Sequence, residues 1–309
     1  MLNKIDFSSP YWDMLGASEI PKLMKDFSKN CDVKSETFLR LSVDEIWNDG
    51  ECFPAFFIAV PYLVEIAAEC KFEIAREIWS QLGYCIPYQD AIRSEIPNEV
   101  LICFDEALKY GESQLIEALI QNKSEILSDA YNLIPALFSF ANHRAGKLTS
   151  SNYFLDPTCG DATVSCNNDH INEVFIFAKG LSLSDKPFKN SKMIPCVSNE
   201  DFQMNLDIQN LNPWKLFGSQ MEEVRKSSDI SEEIRTHLLL AKKIVECGIT
   251  ASLPMRFAFS LCGSLFYWCG DVELALRAYH GWNTITCPVC GQSFRFADYW
   301  NVIVFRIWH

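Results

Sequence analysis

The chain has 309 residues, 49% of them hydrophobic and 22% charged, enough apolar surface to bury in one elongated domain or two compact ones. Its formal net charge is −13, and no run of Lys or Arg interrupts the acidity, which argues against nucleic acid as a partner because phosphate backbones demand basic patches. The most apolar stretch, Phe53 to Ala68, is broken by Pro61 and Glu65, and the start (Met1-Leu2-Asn3-Lys4-Ile5-Asp6) lacks the basic-then-apolar order of an export signal, so no membrane span and a cytoplasmic location are expected.

In chain order, residues 1–18 read as an irregular lead-in with Tyr11 and Trp12 pinned to the body. A short helix is predicted over Ile20 to Phe27 and a longer one over Glu36 to Trp47, with Phe38, Leu39, Leu41, Val43 and Ile46 inward. The loop Asn48-Asp49-Gly50-Glu51 follows and, with Asp44 and Glu45, forms an acidic rim. An apolar helix containing Pro61 comes next. Its partner runs from Phe72 to Leu82, with Ile74, Ile78 and Leu82 on one face and Gly83 as its stop. Tyr84 to Pro97 is a connector. Asn98 to Tyr110 is a helix closed by Gly111, Leu115 to Ile120 marks another, and Ser128 to His143 a third, containing Pro135.

The character changes at Ser151. Asn152 to Leu155, Ala162 to Val164 and Val174 to Phe177 are short strands between Gly, Asp and Asn turns, and Gly180 to Pro213 is a polar connection. Helices resume at Trp214 to Lys226 and at Ser231 to Cys247, where Ser231 followed by Glu232 and Glu233 makes a good start. A helix carrying Pro254, the turn Gly270-Asp271 and a helix restarting at Val272 follow, and the aromatic end, Trp300 to His309, tucks back. The organisation is therefore 1–150 helical, 151–213 short strands and connection, and 214–309 helical again.

The thirteen cysteines do not read as a disulfide framework, because the count is odd and no export signal is present; Cys70, Cys103, Cys247, Cys262 and Cys269 fall on apolar helix faces as small hydrophobes. Cys287-Pro288-Val289-Cys290-Gly291 has the form of a zinc knuckle, and Asp156-Pro157-Thr158-Cys159-Gly160 is a degraded copy of it. The expected state is a turn that keeps its shape without metal. Any zinc would fall to Cys159, Cys166, Cys287 and Cys290.

One pattern recurs across the helical parts. Val60-Pro61-Tyr62-Leu63-Val64-Glu65-Ile66-Ala67, Ile134-Pro135-Ala136-Leu137-Phe138-Ser139-Phe140-Ala141 and Leu253-Pro254-Met255-Arg256-Phe257-Ala258-Phe259-Ser260 share an aliphatic residue, Pro, two free positions, Val or Phe, one free position, Ile or Phe, and a small residue. A proline inside a helix removes one backbone bond, so each copy is expected to bend, and all three to lie in one layer of a stack of helix pairs. Arg76, Arg256 and Arg277 are expected to tie neighbouring repeats. This pattern resembles the HEAT repeat, and Glu51 to Leu63 is similar to bacterial HEAT-like proteins found near secreted toxins. The resemblance implies a mostly α, HEAT-like solenoid of helix pairs with small β and knuckle insertions.

No pair of the five histidines has metal-protease spacing, and no phosphate loop or nucleophile elbow is present. The expectation is a protein that binds without catalysing and without a cofactor. The resemblance implies an immunity protein that neutralises a basic toxin domain, and the contact residues expected are Asp44, Glu45, Asp49 and Glu51. The other class open to such a chain is a HEAT-like enzyme or cofactor-handling scaffold of the lyase type.

Overall fold

The computed structural model describes residues 2–48, 51–150, 161–165, 172–176, 192–194, 197–227, 229–282, 284–286, 291 and 293–295. The chain separates into two units, Met1–Ser150 and Ser151–His309. It is mostly helical, with twelve α-helices among the described residues.

In the first unit the lead-in holds α1 (Tyr11–Met14) and is pinned by its aromatic residues. The buried Trp12 indole donates to the Asp6 carbonyl at 2.9 Å, and Phe7 stacks on Tyr62 at 4.3 Å. After α2 (Ile20–Asn30) comes α3 (Glu36–Leu39), which Ser35 caps by accepting from the Phe38 amide. A wider π-helical turn, Arg40–Glu45, continues α3. Leu39, at the end of α3, and Val43, in the wider turn, point outward, 53% and 39% exposed, rather than into the core. The chain then reverses through a two-residue hairpin, β1 (Trp47–Asn48) on β2 (Glu51–Cys52).

The core helix is α4 (Pro54–Glu69), apolar on nearly every side and buried continuously from Ala55 to Pro61. It packs on α5 (Phe72–Cys85) and on α6 (Asn98–Gln121), which follows the 3₁₀ turns Ile86–Ala91 and Arg93–Glu95. Neither predicted glycine stop operates. Gly83 lies inside α5 and Gly111 inside α6, so the two helices read around Gly111 are one. At Gly83 the neighbouring helix leaves no room: a Cβ would collide with the Ala136 Cα and Cβ. That neighbour is α7 (Ala130–Ala141), and the Ser139 hydroxyl completes the seam by donating to the Gly83 carbonyl at 2.7 Å. Asn142 ends α7 in extended backbone, and its Oδ1 accepts from the amides of Arg144 and Ala145, which starts α8 (His143–Ser150).

Pro61 and Pro135 do lie inside helices, α4 and α7. α4 packs on α5 and α6, and α7 on α5, α6 and α8.

In the second unit β3 (Asp161–Ser165) pairs antiparallel with β4 (Asn172–Ile176). The predicted strand at Asn152 to Leu155 and the tail at Trp300 to His309 lie outside the described residues. β5 (Lys192–Ile194) arises within the stretch read as connection and joins β6 (Thr284–Thr286) and β7 (Ser293–Arg295) in an antiparallel sheet ordered β5-β6-β7. Its α-helices among the described residues are α9 (Leu216–Arg225), α10 (Glu232–Cys247), α11 (Met255–Cys269) and α12 (Val272–Gly281), each packed on the next. Ser231 caps α10 as expected. Pro254 corrects the repeat. It is the cap residue before α11, in extended backbone (φ −58°, ψ 132°), and its carbonyl accepts the Phe257 amide at 2.8 Å. The third copy starts a helix instead of interrupting one.

Candidate functional site

The acidic rim forms at the π-helical turn and hairpin of the first unit. Asp44 and Glu51 are exposed, and neither carboxylate has an ion pair among the described residues. Glu45 differs: its Oε1 accepts from Arg40 Nε at 2.9 Å and Nη2 at 2.8 Å, so its charge is already met. Asp49 lies outside the described residues.

Beside the rim runs an aromatic row that sequence reasoning did not find. Trp47, on β1, meets Tyr84 edge-on at 5.1 Å, and Tyr84 leads to Tyr88 at 6.2 Å. Tyr84 is 44% exposed, and the Trp47 Nε1–H is buried without an acceptor among the described residues. Val43, on the turn that carries Asp44, and Leu39, just before that turn, add exposed apolar surface. Trp and Tyr beside unpaired carboxylates is the composition of a recognition surface, large in contact area and low in ordering cost. The only signal for it in the sequence was aromatic residues in a connector, and 37 positions separate Trp47 from Tyr84.

The charge is uneven. Residues 1–150 contain 13 Lys and Arg against 23 Asp and Glu, so the first unit carries −10 of the chain's −13. A field of one sign steers oppositely charged partners toward the unit.

A second feature of this unit is a cleft of about 300 Å³ between the α4–α5 junction and the end of α6, lined by Cys70, Phe72, Trp79, Gln114, Glu117 and Asn122 among others. Burial, with the neighbouring Cys31 thiol, pushes the Cys70 thiol up to about 12. Deeper in the unit Cys52 donates to the Cys85 carbonyl at 3.1 Å, and burial pushes both thiols up, Cys52 to about 12. Thiols held protonated in this way are poor nucleophiles.

The second unit has a buried polar cluster. His237 Nδ1, on α10, lies 2.8 Å from the Ser260 hydroxyl on α11, and its ring stacks on Tyr279 of α12 at 3.8 Å. The Ser264 hydroxyl is 3.1 Å from the Tyr279 hydroxyl. A Ser–His contact is the opening geometry of a nucleophile and its base. Here both residues are buried, at 0% and 2% exposure, and the cluster fastens three helices together. Desolvation raises the Tyr279 hydroxyl far above its ordinary value, so it stays neutral.

The arginines divide. Arg76 Nη1 donates to Asp129 at 2.8 Å and ties α5 to the turn before α7; Arg256 pairs with the buried Asp201 and pins the connection to α11. Arg277 is paired with Glu273 of its own helix, its one ion pair among the described residues.

Cys159, Cys166, Cys287 and Cys290 lie outside the described residues; the hairpin β6–β7 brackets the last two in sequence. Among the described residues no group of three or more His, Cys, Asp or Glu gathers as a metal site. Among them, too, no helix is long and apolar enough to cross a membrane. Comparison of the chain with protein-family models, with curated proteins and with solved structures returned no match.

Proposed function

We propose that this chain is a non-catalytic protein-binding protein of HEAT-like build, and specifically an immunity protein that neutralises a basic toxin domain by direct contact. The observation that carries the reading is the juxtaposition of Asp44 and Glu51 with the Trp47–Tyr84–Tyr88 row on the unit that holds most of the net charge. Carboxylates at an edge speed encounter with a basic partner, and aromatic side chains hold it after docking. The pairing of α4 with α6 and of α5 with α7 favours stacked helix pairs, in which loops at one edge can vary without disturbing the core. The resemblance of Glu51 to Leu63 to toxin-associated proteins supplies the toxin part of the proposal.

The test is co-expression with the product of the adjoining gene. The expected result is growth arrest by that product alone, relief by this chain, and a complex that co-elutes in stoichiometric amount. Relief that survives D44K/E51K together with W47A would place the contact elsewhere, and absence of both relief and complex would end the immunity reading.

A further inference from the structure

The cleft of about 300 Å³ in the first unit is not used by the acidic rim. α4 and α6 run in the same direction. Phe56 and Phe57, near the start of α4, meet Phe104 in the first part of α6 at 5.7 and 4.8 Å, and Ala67 and Ala68, near the end of α4, share the cleft wall with Gln114 to Asn122. Both helices therefore end at the cleft. Such an end carries about half a negative charge on its last carbonyls. Neither last turn contains a basic residue to offset it, and no residue lining the cleft is basic. Glu117 adds a full charge, exposed on the wall and without an ion pair among the described residues. The Asn122 amide is oriented by its Nδ2, which donates to the Ala118 carbonyl at 2.7 Å and leaves Oδ1 as an acceptor. The rest of the wall is apolar. Phe72 and Trp79 line it, with Trp79 braced edge-on by Phe140 at 5.5 Å, while Ala67, Ala75 and Ala118 are too small to fill the space between the three helices.

We propose that this cleft binds a small organic cation, an ammonium or guanidinium group on a short apolar or aromatic body. Two helix ends and Glu117 give the cleft one sign of charge, which attracts a cation and repels an anion. Asn122 Oδ1 accepts one of its N–H groups. Aromatic rings suit both halves of such a ligand, since they pack against its body and attract its charge. A neutral molecule of the same shape gains only the packing. Size sets the limit: the cleft is at the small end of ligand sites, room for about ten non-hydrogen atoms. The occupant is a free molecule and not a side chain of the protein partner proposed above. The cleft opens at the Phe72 end of α5, whereas Tyr84 of the aromatic row is at the other end of that helix, about 18 Å along it. The site therefore fills independently of the rim.

The experiment is titration calorimetry on the full-length chain. The probe is phenethylammonium, with phenethyl alcohol as its neutral counterpart and phenylpropanoate as the anion. The ammonium is expected to bind one per chain, about tenfold more tightly than the alcohol, and the carboxylate not to bind. E117Q keeps the shape and removes the charge, so it should weaken the ammonium about threefold and leave the alcohol unchanged. A118F fills the cleft and should abolish binding, with its melting curve as the check on folding. Because Glu117 is exposed, E117Q tests the site even where A118F fails to fold. D44K/E51K should bind the ammonium as the parent does, which separates this site from the rim. A capped lysine, which carries its ammonium on a peptide backbone, should bind more weakly than phenethylammonium. The inference is overturned if the ammonium does not bind, if it binds no better than the alcohol, if E117Q binds it as the parent does, if D44K/E51K abolishes binding, or if the capped lysine binds more tightly.

Discussion

The helix of Pro135 in the first unit and the helix of Pro254 in the second share one eight-residue pattern and use it in opposite ways. Pro135 is buried inside α7, pressed against α5, whereas Pro254 stands before α11 and lends its carbonyl to the first turn. What separates them is the residues upstream. Before Pro135 the helical run buries Ala130, Leu133 and Ile134, so the helix has reason to begin early. Before Pro254 the chain makes a turn through Thr250 and Ser252, whose hydroxyls bond each other at 2.9 Å. A proline is tolerated in either place, and the local competition for backbone hydrogen bonds decides which.

The two units can be set against each other by mutation. The largest effect is expected at the α5–α7 seam. G83A puts a methyl into the Ala136 backbone and should lose about 3 kcal/mol in chemical denaturation, because main chain cannot step aside as a side chain can. A loss below about 1 kcal/mol would show that α5 and α7 are not in contact there.

Ion pairs come next, where the same chemistry meets different burial. Arg277 is 1% exposed, and its Nε and Nη1 find no partner among the described residues, so E273A strips its charge contact there and should lose roughly 2–3 kcal/mol. E45A removes an exposed pair in the first unit and should change stability by less than about 1 kcal/mol. Equal losses at the two positions would mean that Arg277 is hydrated.

At the buried cluster of the second unit, S260A leaves His237 Nδ1 without its hydroxyl and should lose about 1–2 kcal/mol. Equilibrium urea unfolding measures it.

A smaller, pH-dependent effect belongs to Glu222. Hydrogen bonds from Arg225 and then Lys242 hold its carboxyl down at about 2, against an ordinary value of 4.5. A depressed carboxylate stabilises the fold fully above 4.5, and that contribution disappears as pH falls from 4.5 toward 2. Melting curves of E222Q and the parent should therefore differ at pH 7 and converge on acidification. The smallest effect on stability is expected at the rim. D44K/E51K should shift stability by less than about 0.5 kcal/mol. It should slow association with a basic partner by about tenfold at low salt, a difference that salt erases.

Much of the helical build was legible before any coordinates. A continuous apolar run marks α4, apolar periodicity marks α5 and the two halves of α6, and Ser231 announces α10 because a hydroxyl before two acidic residues meets the free amides of a first turn. Half of the candidate site was legible too, since Asp44, Glu45 and Glu51 crowd together in the chain. Its other half was not. Tyr84 reaches Trp47 only because Cys52 and Cys85 bring the hairpin and the end of α5 together, and no local pattern records such a contact.

The sequence by itself determined that most of the chain is helical, that Ser231 caps α10, and the sign and uneven placement of charge, because these depend on neighbours a few residues away. Tertiary structure decided whether Gly83 ends a helix or lies in a seam, whether Pro254 interrupts a helix or begins one, and whether Leu39 and Val43 face the core or solvent. A glycine, a proline or an outward leucine is permitted by several local conformations of nearly equal free energy, and only packing against distant residues such as Ala136 separates them.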